Sequence, residues 1–177
     1  SRKTIVRAIK SRWNITRIYS ATLLASNGLK SSNSAFFNAK NFEIEMKEAE
    51  PKFTIQPNTK FRASLLYSYK EKLNAPLLGG EELVAQKLGI ELRLNRASKG
   101  SFRTGFNFID NKYISSGNPS LDYEILEGLQ EGANMTWEFT YQQNISKHMQ
   151  LSLNYNGRKS EESPIIHTGG VQVRAFF

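Results

Sequence analysis

Cysteine is absent from the 177 residues. Disulfide frameworks, thiolate metal sites and cysteine nucleophiles are therefore excluded. Histidine is scarce: His148 and His167 stand apart, with no carboxylate at ligand spacing, so neither a metal nor any other cofactor is expected. Long apolar runs are missing too. Leu23-Leu24-Ala25 and Leu65-Leu66-Tyr67 are typical, whereas a membrane-spanning helix needs about 20 apolar residues. No charged stretch leads into an apolar core, so no signal peptide is recognised, and the first residue is Ser1 rather than Met. Acidic residues are absent from 1–40, which hold Arg2, Lys3, Arg7, Lys10, Arg12, Arg17, Lys30 and Lys40, while the other 137 residues balance to zero within the net +8. A basic arm of this kind suggests nucleic acid or an anionic membrane surface.

Catalytic patterns are equally thin. No Gly-x-Ser-x-Gly elbow occurs, and Gly79-Gly80 and Gly169-Gly170 match no phosphate-cradling loop. No enzyme is expected. The acid pairs Glu81-Glu82 and Glu161-Glu162 read as solvated loop charge, with divalent-cation binding as the alternative. Asn14, Asn134 and Asn144 open glycosylation-like triplets that read as turn chemistry.

Alternation is what the sequence has in abundance. In 135–142 every odd residue is apolar or aromatic (Met135, Trp137, Phe139, Tyr141) and every even one polar. The same period recurs in 149–156, in 88–95, along Phe61, Ala63, Leu65, Tyr67 and Tyr69, and in the closing Val171, Val173, Ala175, Phe177. Period two places alternate side chains on opposite faces of a strand. It predicts nine strands over 3–13, 18–27, 41–56, 60–72, 83–96, 100–113, 132–144, 148–158 and 166–177. Within the third, Phe42, Ile44 and Met46 are even but Phe53 and Ile55 odd, which predicts a phase-resetting bulge near 48–51, at Pro51.

Short turns at 14–17, 57–60, 97–100 and 144–147 alternate with long polar loops at 28–40, 73–82, 114–131 and 159–165. This asymmetry, with strands about twice the usual 5–6 residues, predicts an all-β, antiparallel, up-and-down transmembrane β-barrel. Residues 1–177 form a single barrel domain or the C-terminal portion of one. Nine strands is an odd number where bacterial single-chain barrels have an even one, so part of a larger barrel is expected.

The apolar parity supplies a lipid-facing surface and aromatic girdle: Trp13, Tyr19, Phe53, Phe61, Trp137, Phe139, Tyr141 and Tyr155. The opposite parity supplies a lumen lining: Glu43, Glu45, Lys52, Arg62, Lys70, Glu91, Arg93, Arg103 and Glu138. A self-neutralising ladder of cross-strand pairs accounts for that set equally well. The competing class is a soluble antiparallel module that binds nucleic acid through the basic first 40 residues. The barrel reading instead disperses those charges over two strands and names no nucleic-acid partner.

The terminal run Val171, Val173, Ala175, Phe177 resembles the last strand of bacterial outer-membrane barrels. That resemblance implies recognition by the barrel-assembly machinery. The stretches 126–137 (LEGLQEGANMTW), 157–160 (GRKS) and 167–177 (HTGGVQVRAFF) resemble the C-terminal region of large outer-membrane proteins of Bacteroidota, over residues 40–177. The resemblance implies an outer-membrane barrel in contact with lipid. It carries over no catalytic residue and does not extend to TonB-dependent transporters, so nutrient import is not implied. Barrels of that phylum also serve type 9 secretion and barrel assembly, which implies further outer-membrane or periplasmic subunits as partners.

Overall fold

The computed structural model describes residues 2–34, 41–96, 99–115, 117–161 and 163–176. Alternating, β-branched and aromatic-rich segments form nine strands, β1 (Arg2–Asn14), β2 (Tyr19–Ser32), β3 (Phe42–Ile55), β4 (Phe61–Asn74), β5 (Glu82–Arg96), β6 (Gly100–Ile114), β7 (Gly132–Ser146), β8 (Met149–Ser160) and β9 (Ile166–Ala175). They pair antiparallel in chain order within one sheet. All nine expected strands are present; β2, β4, β7 and β8 run a few residues further than their alternation suggested. The sheet is open, because β1 and β9 do not pair with each other.

The short turns are held by local side-chain acceptors. Thr16 Oγ1 accepts from the N–H groups of Ile18 and Tyr19, both at 3.1 Å. Asn58 Oδ1 accepts from those of Lys60 and Phe61, both at 2.9 Å. Ser146 Oγ does the same for His148 at 3.1 Å. Small polar side chains satisfy these donors without lengthening the connection.

The expected bulge in β3 is absent. Its register against β2 is unbroken from Tyr19 opposite Ile55 to Ser32 opposite Phe42, and its pairing with β4 keeps one offset across Pro51. The phase change in the sequence is instead a change in what the inner face meets. Phe42 and Ile44 are buried against a helix; Glu48, Glu50 and Lys52, further along the same face, are not. The irregularity that does exist lies between β7 and β8, at Asn144 and Ser146.

The helix α1 (Pro119–Ile125) lies in the long β6–β7 connection, where the alternation predicted none. Pro119 suits a first helical turn, where its missing N–H has no intrahelical acceptor to serve. Leu121 and Ile125, four apart and on one side, are buried with Phe42, Ile44, Leu83 and Tyr113, and Met46, Ala85 and Leu126 pack against them. This cluster is the core of the molecule. It sits at the long-loop end of one face of the sheet, the inner face.

Candidate functional site

Residues directly opposite in an antiparallel pair share a face, so the registers assign every strand position to the inner or the outer side. Outer positions of β3 to β9 carry rows such as Phe61, Leu94, Phe102, Tyr141, Leu153 and Val171, then Leu65, Ile90, Phe106 and Trp137. Most of these side chains are exposed or only partly covered. Toward the long loops the outer face turns mixed: Glu45, Lys47, Glu71, Gln86, Asp110, Lys112 and Lys159 take outer positions there, interspersed with Leu73, Val84 and Ile114.

The predicted girdle residues all fall on this outer face. Tyr19 stacks on Phe53 at 5.9 Å, and Phe139 meets Phe102 edge-on at 5.0 Å. Trp137 lies over Gly157, its direct partner on β8. Tyr155 shares a 2.8 Å hydrogen bond with His167 Nδ1 and stacks on its ring. Tyr141 donates to Gln143 Oε1 at 2.7 Å. Trp13 is exposed near the short-turn end of β1, and Phe61 opens β4. Val171, Val173 and Ala175 share the outer side of β9. The fourth residue of the predicted assembly signal, Phe177, lies outside the described residues, as do Lys40 and Glu162.

The predicted lumen set divides. Lys52, Arg62, Lys70, Glu91, Arg93, Arg103 and Glu138 lie on the inner face. Glu43 and Glu45 do not: they are exposed on the outer side of β3. With no bulge to reset the phase, even positions of β3 face inward throughout, and the odd ones sit outside, past the apolar rows. Several inner charges pair across strands. Lys52 Nζ meets Glu91 Oε2 at 2.6 Å, Lys87 meets Glu50 at 3.4 Å, and Lys70 meets Glu48 at 3.7 Å. The first two reach from β3 to β5 over β4, whose inner Ser64 and Ser68 leave room. Arg103 comes within 3.8 Å of Glu138.

Over the long-loop end of this wall the α1 segment forms a lid. Tyr113 Oη donates to Asp122 Oδ1 at 2.5 Å, and Ser115 Oγ bonds the same carboxylate at 2.9 and 3.0 Å. Lys72 Nζ, only 4% exposed, donates to the Ile125 carbonyl and to Glu127 Oε1, both at 2.7 Å. Lys30 bonds Glu124, and Arg2 approaches it at 3.4 Å. Arg158 donates to the Gly128 carbonyl at 3.1 Å. Lid atoms thus reach β1, β2, β4, β6 and β8. A seven-residue helix is about 10 Å long and strands lie about 4.8 Å apart, so the sheet must curl around it.

Electrostatics reinforce the docking. The Lys30 hydrogen bond holds the Glu124 carboxyl below its ordinary range, with Arg2 and Lys72 adding to the effect. Burial alone pushes Glu127 upward, but Lys72 and Lys70 outweigh it and hold that carboxyl low as well. The lid's exit is pinned by polar groups: Asn111 and Asn134 donate to the Gln130 carbonyl at 3.0 and 2.8 Å, and Ser160 Oγ donates to Asn134 Oδ1 at 2.6 Å. Asn134 is therefore a fully buried structural residue.

Glu81 corrects the expectation of a solvated acid pair. It is 1% exposed and accepts from Asn74 Nδ2 at 2.6 Å, while Glu82 is exposed at the start of β5. The pair splits because the 75–81 connection folds back on the sheet around the Asn74 amide. Among the described residues no group of three His, Asp or Glu is placed to hold a metal, and no helix is long and apolar enough to cross a membrane.

No protein-family model matches this sequence, and no curated protein matches it.

Sequence reasoning missed the lid contacts, although Lys30, Lys70 and Lys72 were visible as charges. The usable signal was a short one: Pro119 followed by apolar residues at 121, 125 and 126 in an otherwise polar loop.

Proposed function

We propose that this chain is a section of the wall of a transmembrane β-barrel in a bacterial outer membrane, acting without catalysis as a channel, a secretion or assembly component, or a scaffold. The observation that carries the reading is the division of the sheet into an apolar, aromatic outer band and a charged inner face with its own lid. In a water-soluble sheet the apolar face seeks the core. Here the cluster on the inner side is small, and among the described residues no element packs on the broad apolar band. Exposed apolar surface on that scale marks a lipid or protein contact.

The band has membrane dimensions. From Phe61 to Tyr69 it spans nine residues of β4, about 30 Å along the strand and about 23 Å along the normal at a tilt of about 40°, against roughly 25 Å for such bands. Barrel size supports a wall section rather than a complete barrel. An eight-stranded barrel is just filled by its own side chains, whereas this inner face carries a helix about 10 Å across. β1 and β9 also run in the same direction, so joining them would make a parallel seam. The outer-membrane proteins of Bacteroidota suggested by 126–137 and 157–177 fit this reading, with lipid, the assembly machinery and neighbouring subunits as contacts.

The test is detergent-dependent folding followed by heat-modifiable gel mobility, and quenching of Trp137 emission by lipids brominated in the acyl chain. Strong quenching from mid-chain bromine is the expected result. A folded, monomeric chain in water without detergent, or Trp137 untouched by bilayer quenchers, would overturn the reading.

A further inference from the structure

At the short-turn end of the inner wall, Arg62 stands directly opposite Arg93, and Arg93 directly opposite Arg103. Three like charges thus lie in one row across β4, β5 and β6, an arrangement that costs stability unless something neutralises it. The wall supplies little. Among the described residues Arg62 bonds only the neutral Gln56 Oε1, at 2.7 and 3.0 Å. Arg93 makes no side-chain hydrogen bond or ion pair among the described residues. Arg103 has the distant Glu138, and Glu91, next along the inner face, is held by Lys52. The cations that the wall's own carboxylates engage closely are lysines; this row is all arginine, the side chain whose planar fork matches carboxylate and phosphate oxygens two at a time.

We propose that the Arg62–Arg93–Arg103 row is a binding site for a small polyvalent oxyanion at the short-turn mouth of the lumen. Directly opposed positions lie about 5 Å apart, so the three forks extend over about 10 Å and address two or more anionic groups on one ligand. All three side chains are exposed on the inner face, and charged rows of this kind set anion preference in pores. That the row faces a lumen rests on the barrel reading; the anion site itself rests on the register.

The experiment titrates pyrophosphate into the folded full chain in detergent, following the arginine Nε–Hε resonances by NMR, with chloride at matched ionic strength as the control. The Arg62, Arg93 and Arg103 signals are expected to move together and to saturate under pyrophosphate alone. Arg93→Gln should weaken binding about tenfold, and Arg93→Lys should recover only part of it, because charge returns without the fork. Lys112→Gln, on the outer face, should bind as the native chain does. Shifts spread evenly over all arginines, or native affinity in Arg93→Gln, would overturn the site. A chain that folds without detergent but still shows the three-arginine response sinks the barrel reading and leaves the site standing. One that inserts into bilayers without the response does the reverse.

Discussion

Single residues carry both surfaces of this sheet. Trp137 and Gly157 are a matched pair: the indole covers the glycine, and a Cβ built there would stand 2.2 Å from the ring. Gly157→Ala must therefore displace the indole. A cost of about 1–3 kcal/mol is expected, as for other overpacked sites, read as a lowered denaturation midpoint together with shifted Trp137 emission in a Trp13→Phe background. Lys72 is the second such residue. Its ammonium group is buried and held by Ile125 and Glu127. Burial disfavours the charged form, and the lid's acceptors are what stabilise it.

At the level of elements, the lid is the part most open to experiment. It rests on an apolar contact and a set of ion pairs. Ile125→Ala removes a fully buried side chain and should weaken docking by about 2–5 kcal/mol. The absence of cysteine makes Tyr123→Cys, at an exposed lid position, a unique attachment point for a spin label. Label mobility should rise in Ile125→Ala while strand content is unchanged. The ion pairs set a pH dependence whose sign is fixed by the direction of the shifts. Glu124 and Glu127 are held below the ordinary value of 4.5, so the docked lid releases protons relative to the free one. Docking is fully favourable above about 4.5 and weakens as the pH falls through the lower values of the docked state. The same label should stay immobile at neutral pH and become mobile in acid, and Glu124→Gln with Glu127→Gln should flatten that profile.

The whole molecule is an open nine-stranded sheet with distinct faces. Thirteen of the 24 basic residues but only four of the 16 acidic ones occupy inner strand positions. The excess of positive charge is therefore largely a property of the inner face, offset at one end by the lid's Asp122, Glu124 and Glu127. Face assignment predicts opposite outcomes for one substitution type. Phe106→Arg, in the middle of the outer band, should cost about 2–4 kcal/mol in a bilayer. Thr168→Arg, on the inner side of β9, should be close to neutral. Denaturant titration of protein folded into vesicles measures both. The long edges of β1 and β9 leave backbone donors and acceptors unpaired, a template for further strands; in the barrel reading these are where the rest of the wall continues.

Strand number, order and most face assignments were legible in the sequence, because an extended chain alternates its side chains whatever it packs against. Met135, Trp137, Phe139 and Tyr141 need no partner to declare a common side. The turns were legible for a similar local reason, since Thr16 and Asn58 act within three residues. What alternation could not disclose is which contacts each side meets. Phe42 and Ile44 look like an outer, lipid-facing run, but the unbroken register of β3 with β2 and β4 turns them inward and puts Glu43 and Glu45 outside, and α1 then covers the two apolar side chains. Glu81 looks solvated until the Asn74 amide closes over it. The Arg62–Arg93–Arg103 row is likewise invisible along the chain, because its members are 31 and 10 residues apart and meet only through the registers of β4, β5 and β6. Period is set by backbone geometry and survives in one dimension. The identity of the neighbour depends on register and on a loop folding back, and both exist only in the assembled sheet.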